Sequence, residues 1–275
     1  MRNVLSLILL LLSAPVLTAN TSQSKEKISA LSIGDCIEFK SVVLSEKRRI
    51  NVYLPQAYQT NKDKSFPVIY MPDGGIHEDF LHIAGLIQIG SLNWTMRPFI
   101  LVGIENTDRK RDLTGPSDNP KDKTIGKLTG GSSKFRQFIR HELMPLVNKH
   151  YRISDETAII GESLAGLFVV ETLLKDPDLF NNYIAIDPSL WWDNQRLVQT
   201  SISDLTKNLT NPRRLHLAAS SQQGIVEPTR ELAKKLATLT MLKSSYQEYP
   251  KETHLSIYHP AALDSFRLVF PRNNN

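Results

Sequence analysis

The segment Thr157-Ala158-Ile159-Ile160-Gly161-Glu162-Ser163-Leu164-Ala165-Gly166-Leu167 restricts the fold more than any other stretch of the chain. Thr157 to Gly161 reads as a strand buried on both faces, and Leu164 to Leu174 as an apolar helix, with one sharp turn between them. A strand that passes into a helix this abruptly brings the two backbones almost into contact, so the positions two before and two after the turn residue must be small. Gly161 and Ala165 satisfy that requirement, Ala165 standing where glycine is usual. The turn sets the Ser163 hydroxyl at a helix N-terminus, where unpaired backbone N–H groups, Leu164's included, can stabilise a developing oxyanion. Gly-Xaa-Ser-Xaa-Ala as bare letters is common. The buried strand before it and the helix after it make Ser163 the expected nucleophile.

The rest of the chain supplies a frame for that turn. Ile37 to Phe39 and Arg49 to Pro55 alternate apolar and polar residues, as half-buried antiparallel strands do. Pro67 to Met71 and Pro98 to Ile104 are continuous apolar runs suited to strands covered on both faces. Phe135, Phe138, Ile139, Leu143, Leu146 and Val147 repeat at helical spacing, predicting a helix over Phe135 to Lys149. Tyr183 to Ile186, Leu215 to Ala219 and Tyr246 to Tyr249 read as further strands, and Glu231 to Leu242 as a third helix. Such alternation predicts an α/β fold, a mainly parallel sheet with helices on both faces, led by antiparallel N-terminal strands.

Met1-Arg2-Asn3 precedes an apolar run to Leu12 that breaks at Ser13-Ala14-Pro15 and ends in Leu17-Thr18-Ala19. A run this short, closing on small residues, predicts a signal peptide over 1–19, cut after Ala19, and a secreted or periplasmic protein without a lipid anchor or stable membrane insertion. Residues 20–30 read as a flexible lead-in, and 31–275 as one domain, since the roughly 255 residues left suffice for a single core. The one cysteine, Cys36, cannot make an internal disulfide and is expected to be buried. Net charge is +5, or +4 once Arg2 leaves with the signal, too small and scattered to imply a nucleic-acid partner.

A serine nucleophile needs a base and an acid, and in this architecture they follow it along the chain, the histidine last. His254 lies in the polar loop after the strand-like Tyr246 to Tyr249, where the base belongs, while His259, ahead of Pro260, reads as structural. For the acid, the loop after Leu215 to Ala219 offers Glu227, the first choice; Glu252 and Asp187 are the alternatives. The loop after Val68 to Met71 carries Gly74 and Gly75, whose backbone can supply the second oxyanion donor. His77 and His82 are five apart and so do not share a helical face as an i, i+4 pair would; no metal site is expected, and no cofactor.

Gly161 to Leu167, taken with Ile186-Asp187-Pro188-Ser189-Leu190-Trp191-Trp192-Asp193, resembles the putative-esterase family of α/β-hydrolases, which includes esterase D-like enzymes, siderophore trilactone esterases and, more distantly, mycolyltransferases. The resemblance extends through Phe66 to Gly75, Gly103 to Asn106 with Arg111-Asp112, Gly130-Gly131 and His254. It implies the α/β-hydrolase fold, Ser163 as nucleophile, His254 as base, and Trp191 or Trp192 at the rim of a pocket for a small-molecule ester. Asp187 stands where relatives often carry serine, so the resemblance gives it no role. Core packing is an equally good reading of the tryptophans. The function expected is ester hydrolysis through a Ser-His-acid triad. Acyl transfer to an alcohol uses the same groups, and a non-catalytic binding protein on the same scaffold would lack one of them; a serine peptidase would need a longer substrate groove.

Overall fold

The computed structural model describes residues 26–272. Met1–Ser32 and Ile33–Asn275 form separate units; of the first, residues 26–32 are described and hold neither helix nor strand. The expected signal peptide lies outside the described residues.

In chain order the elements are β1 Gly34–Ser41, β2 Glu46–Tyr53, α1 Gln56–Thr60, β3 Phe66–Pro72, α2 Phe80–Leu92, β4 Ile100–Ile104 and α3 Arg109–Leu113. Then come α4 Ser132–Phe138, α5 Met144–His150, β5 Ile153–Glu162, α6 Leu164–Lys175, β6 Asn182–Ile186 and α7 Trp192–Asn208. β7 Arg213–Ser220, α8 Val226–Leu236, β8 Leu242–Tyr249 and α9 Tyr258–Val269 complete the chain. The strands form one sheet in the order β1-β2-β4-β3-β5-β6-β7-β8. β1 with β2 and β2 with β4 are antiparallel, and every later pairing is parallel. This is the arrangement expected from the alternation of strand and helix.

Every residue of β4 and β6 is buried, as the continuous apolar runs require. Strand alternation divides the core in two. On β3, Val68 and Tyr70 join the layer built with Phe135, Phe168, Val198 and Leu232 from α4, α6, α7 and α8. Ile69 and Met71 join the opposite layer with Ile83, Ile87, Ala261 and Phe266 from α2 and α9. Each fully buried large apolar side chain contributes about 1.5–3 kcal/mol, so both faces are held by burial. α6 is buried from Leu164 to Leu174, all round, as befits a helix between the sheet and α7.

The helix expected over Phe135 to Lys149 is present but not uniform: a π-helical turn, Ile139–Leu143, joins α4 to α5. Pro145 follows it; lacking an N–H and crowding the carbonyl four residues back, proline strains a regular α-turn, and the wider turn relieves this. Three expectations are corrected. The third helix begins earlier, at Val226, and stops at Leu236, because Leu242 to Tyr249 is claimed by pairing with β7. Helices α2 and α7 appear where none was predicted. Cys36 is exposed, because β1 is an edge strand that is covered little along its length.

Candidate active site

β5 ends at Glu162 and α6 begins at Leu164, so Ser163 alone makes the turn. It does so at φ 60°, ψ −120°, a conformation costly for any residue but glycine. Two backbone bonds hold it there: Ser163 N–H donates to Ile186 O at 3.1 Å, and Ser163 O accepts from Ser189 N–H at 3.0 Å. The small neighbours are needed for the reason given: a Cβ on Gly161 would come within 2.6 Å of the Ala165 backbone. A methyl on Gly166 would lie 2.9 Å from Ile186 O. Leu164 is the first residue of α6, so its N–H has no partner within the helix.

His254, in the loop between β8 and α9, meets the serine. Its Nε2 lies 3.0 Å from Ser163 Oγ and its Nδ1 2.9 Å from Asp187 Oδ2. Asp187 follows β6, the neighbour of β5, and is fully buried. Its own φ is 45°, with its N–H bonded to Ala218 O at 2.8 Å. The bond to Asp187 is the main reason the His254 imidazole holds its proton above the usual range; burial opposes this, and the charges of Glu162 and Asp187 add to it.

Glu227, the expected acid, is not at His254. It sits in the first turn of α8, where its carboxylate accepts the Gly224 N–H at 3.2 Å. The segment read as an open loop is the start of a helix, and Glu227 closes the turn leading into it. Glu252 is spent on its own loop: its carboxylate takes the Ser256 hydroxyl at 2.6 Å and its carbonyl the Ser221 N–H at 3.1 Å. Asp187, the alternative without a family role, is the carboxylate the fold brings to the imidazole. Ser189, with Oγ 3.5 Å from Ser163 Oγ, also lines the site and had no sequence signal beyond the Pro188 to Trp192 stretch.

The glycines after β3 serve differently than expected. Gly74 donates its N–H to Ile104 O at 3.0 Å, and a side chain there would overlap the backbone of Gly103 and Ile104. Its smallness is required by the approach of β4. Gly75 donates its N–H to Glu78 Oε2 at 2.6 Å, so the amides of both glycines are already engaged. Trp192 is 3 % exposed and donates its indole N–H to Gly115 O at 3.0 Å, which makes it a core residue. It also borders a cavity of about 310 Å³ between α6 and α7, with Leu167, Glu171 and Arg196; Ser163 does not line it. Trp191 is half-buried and packs beside Trp192, with ring centres 6.1 Å apart.

Acidic groups dominate the surroundings. Asp73 is held by Arg109 through two contacts, 2.7 and 2.8 Å, and by Asn106 at 2.6 Å. Burial and the charge of Asp73 push Asp79 up to about 6. Burial pushes Glu162 up to about 7 against the pull of His254 and Arg109. Glu162, Asp187 and His254 also have the spacing of a metal triad, but the imidazole nitrogens face Asp187 and Ser163. His82 does not join His77; its Nε2 lies 3.0 Å from His259 Nδ1, across α2 and α9.

The arrangement can take a proton from Ser163 and hold the resulting imidazolium against a buried carboxylate, as acyl-transfer chemistry demands. Known proteins are similar to this chain over most of its length. Over 236 residues the chain is 28% identical to the ferri-bacillibactin esterase of Bacillus subtilis strain 168, covering 78% of this chain and 82% of that one. A siderophore enterobactin esterase of Emericella nidulans is 32% identical over 114 residues, 36% of this chain and 38% of that one. An IroE-like serine hydrolase from Shewanella oneidensis has a structure that superposes with TM-score 0.77 at 29% identity, covering 86% of this chain and 80% of that one. The profile of the Putative esterase family matches residues 41–260, a span that holds Ser163, Asp187 and His254, and the chain belongs to that family as a carboxylic ester hydrolase on the α/β-hydrolase fold.

Proposed function

We propose that the protein hydrolyses the ester bonds of an iron-carrying siderophore through an acyl-enzyme on Ser163, with His254 as general base and Asp187 as its orienting acid. The observation that carries the mechanism is the continuous relay of 3.0 Å from Ser163 Oγ to His254 Nε2 and 2.9 Å from His254 Nδ1 to Asp187 Oδ2. The names of the relatives support the substrate class: ferri-bacillibactin, enterobactin and salmochelin esterases are among them.

Ser163 Oγ attacks the ester carbonyl as Nε2 takes its proton, and the oxyanion rests on the Leu164 N–H. Collapse expels the alcohol, which receives the proton from the imidazolium. Water then attacks the acyl-enzyme, giving up a proton to His254, and the acid departs as the imidazolium returns that proton to Ser163 Oγ. Asp187 fixes the imidazole tautomer in both halves and stabilises each imidazolium. The iron of the siderophore is cargo and takes no part in these steps.

We also infer export across the cytoplasmic membrane, on the strength of the apolar run ending at Ala19. Among the described residues no helix is long and apolar enough to cross a membrane.

A fluorescent organophosphonate, with the modified residue mapped by mass spectrometry, tests the mechanism: Ser163 labels, and labelling is lost in His254→Ala. Hydrolysis of a triscatecholate trilactone, with and without Fe(III), followed by chromatography tests the substrate class against simple butyrate esters. A labelled Ser163 with trilactone cleavage no faster than butyrate cleavage removes the siderophore assignment and leaves the esterase. N-terminal sequencing of the exported protein tests the cut after Ala19.

A further inference from the structure

Glu162 immediately precedes the nucleophile, and the relay does not use it. Its side chain is 17% exposed, and its Oε1 lies 3.4 Å from His254 Nδ1, the nitrogen that also faces Asp187. Among the described residues its carboxylate accepts no hydrogen bond, and the approach to His254 is an ion-pair distance. The contrast with Asp187, which takes two bonds from Ser220 besides the imidazole, is plain. A mostly buried carboxylate without donors is expensive. Its position, fixed by β5 in register with β6, sets its carboxylate beside the His254 imidazole.

We propose that Glu162 is a second positioning carboxylate for His254: it stands on the same imidazole nitrogen as Asp187, adds its charge to the imidazolium, and takes the Nδ1–H over when Asp187 cannot. This rests on the serine-relay reading above. The step is a change of hydrogen-bond acceptor with no bond made or broken. The charged and titratable groups facing Glu162 are His254 from the loop before α9, Arg109 from α3, Asp187 after β6, Asp73 after β3 and Tyr258 from α9. Arg109 is already engaged by Asp73 through two contacts, which leaves His254 as the cation Glu162 serves best.

The signs follow from charge. An ionised Glu162 favours the imidazolium, so its removal makes His254 a weaker base and moves the acid limb of kcat/KM to lower pH. Because burial holds Glu162 up to about 7, its service is stronger on the alkaline side of neutrality.

The test uses the purified full chain with p-nitrophenyl butyrate, kcat/KM being measured from pH 5 to 9 for wild type, E162Q, D187N and the double variant. E162Q is expected to move the acid limb down by up to roughly half a pH unit, because Glu162 is only partly ionised there. D187N is expected to stay within about a hundredfold of wild type and to gain rate through neutrality, while the double variant falls to the roughly ten-thousandfold loss of a triad acid. An E162Q acid limb coincident with wild type, or a D187N rate already at the level of the double variant, overturns the proposal. The E162Q profile decides the matter even where D187N fails to fold. Failure of the relay itself shows separately, as Ser163→Ala retaining the wild-type rate.

Discussion

Ser220 donates twice to Asp187: its N–H lies 2.6 Å from Oδ1 and its hydroxyl 2.7 Å from Oδ2, across the carboxyl ends of β7 and β6. A fully buried carboxylate is tolerable only when its lone pairs are occupied. Here the strand end occupies them in a geometry that leaves Oδ2 aimed at His254. Asp187 is therefore oriented by the sheet itself before any substrate arrives.

Ser220→Ala keeps the backbone donor and removes the hydroxyl. The expected result is a loss of about 1.5–3 kcal/mol, the range for a hydrogen bond to a charged group, read by urea unfolding. The ester-hydrolysis rate should also fall on the order of tenfold as the carboxylate loses its alignment. Glu227→Gln, by contrast, should change the rate by less than about twofold, since it touches only the turn into α8. A Glu227→Gln variant as impaired as Ser220→Ala would return the acid to the position the sequence suggested.

Ser163 stores strain that glycine would not. At φ 60°, ψ −120°, Ser163→Gly is expected to be more stable than wild type by about 1 kcal/mol, raising Tm by roughly 2–4 °C, with hydrolysis abolished. Ser163→Ala keeps the strain, so it should melt near wild type and lose at least about a thousandfold in rate. Calorimetry on the three proteins separates the turn's cost from the nucleophile's chemistry.

Trp192→Phe removes the indole donor and leaves Gly115 O buried without it. A loss of about 1–3 kcal/mol is expected, with KM for p-nitrophenyl butyrate within about twofold of wild type. A KM raised tenfold at unchanged stability would restore Trp192 to the substrate pocket.

The fold was legible where local pattern and burial agree. β3, β4, β6 and the Ala158 to Gly161 half of β5 are apolar runs because both faces are covered, and the Gly161 to Ala165 turn announces itself because only small residues fit there. Helices α2 and α7 were not legible for opposite reasons. α2 carries apolar residues on several sides, with Gly85 and Gly90 inside it, and α7 starts from a left-handed run over Asp193, Asn194 and Gln195 that no helix propensity anticipates. Ser163 and His254 could be placed from order along the chain. Asp187 could not, because order along the chain directs attention past β7, whereas Asp187 stands after β6, the neighbour of the strand that leads into Ser163. Its positive φ and its bonds to Ser220 are tertiary facts. The roles of Gly74 and Gly75 were missed similarly, since a glycine required by a neighbouring backbone looks the same in sequence as one that serves a substrate.

His216 gives the stability a pH dependence of definite sign. It is 1% exposed on β7, its Nδ1 lies 2.9 Å from Ser245 Oγ, and its Nε2 has no partner. Burial lowers it to about 4 from an ordinary 6.5. Below 6.5 the unfolded chain therefore binds a proton that the folded chain refuses. Its contribution is complete above pH 6.5 and is lost as pH falls toward about 4, to an extent of about 3 kcal/mol at 1.36 kcal/mol per unit. Glu162, raised by burial from 4.5 to about 7, acts in the other direction: its contribution is complete below 4.5 and is lost as pH rises to 7. The two offset one another between 4.5 and 6.5, so the wild-type curve conceals both. Urea unfolding of wild type, His216→Gln and Glu162→Gln across pH 4.5 to 7.5 should separate them. The stability difference between wild type and His216→Gln should shift against wild type on acidification, and that between wild type and Glu162→Gln should shift in its favour. A His216→Gln difference that is constant with pH would mean that His216 is solvated in the folded protein.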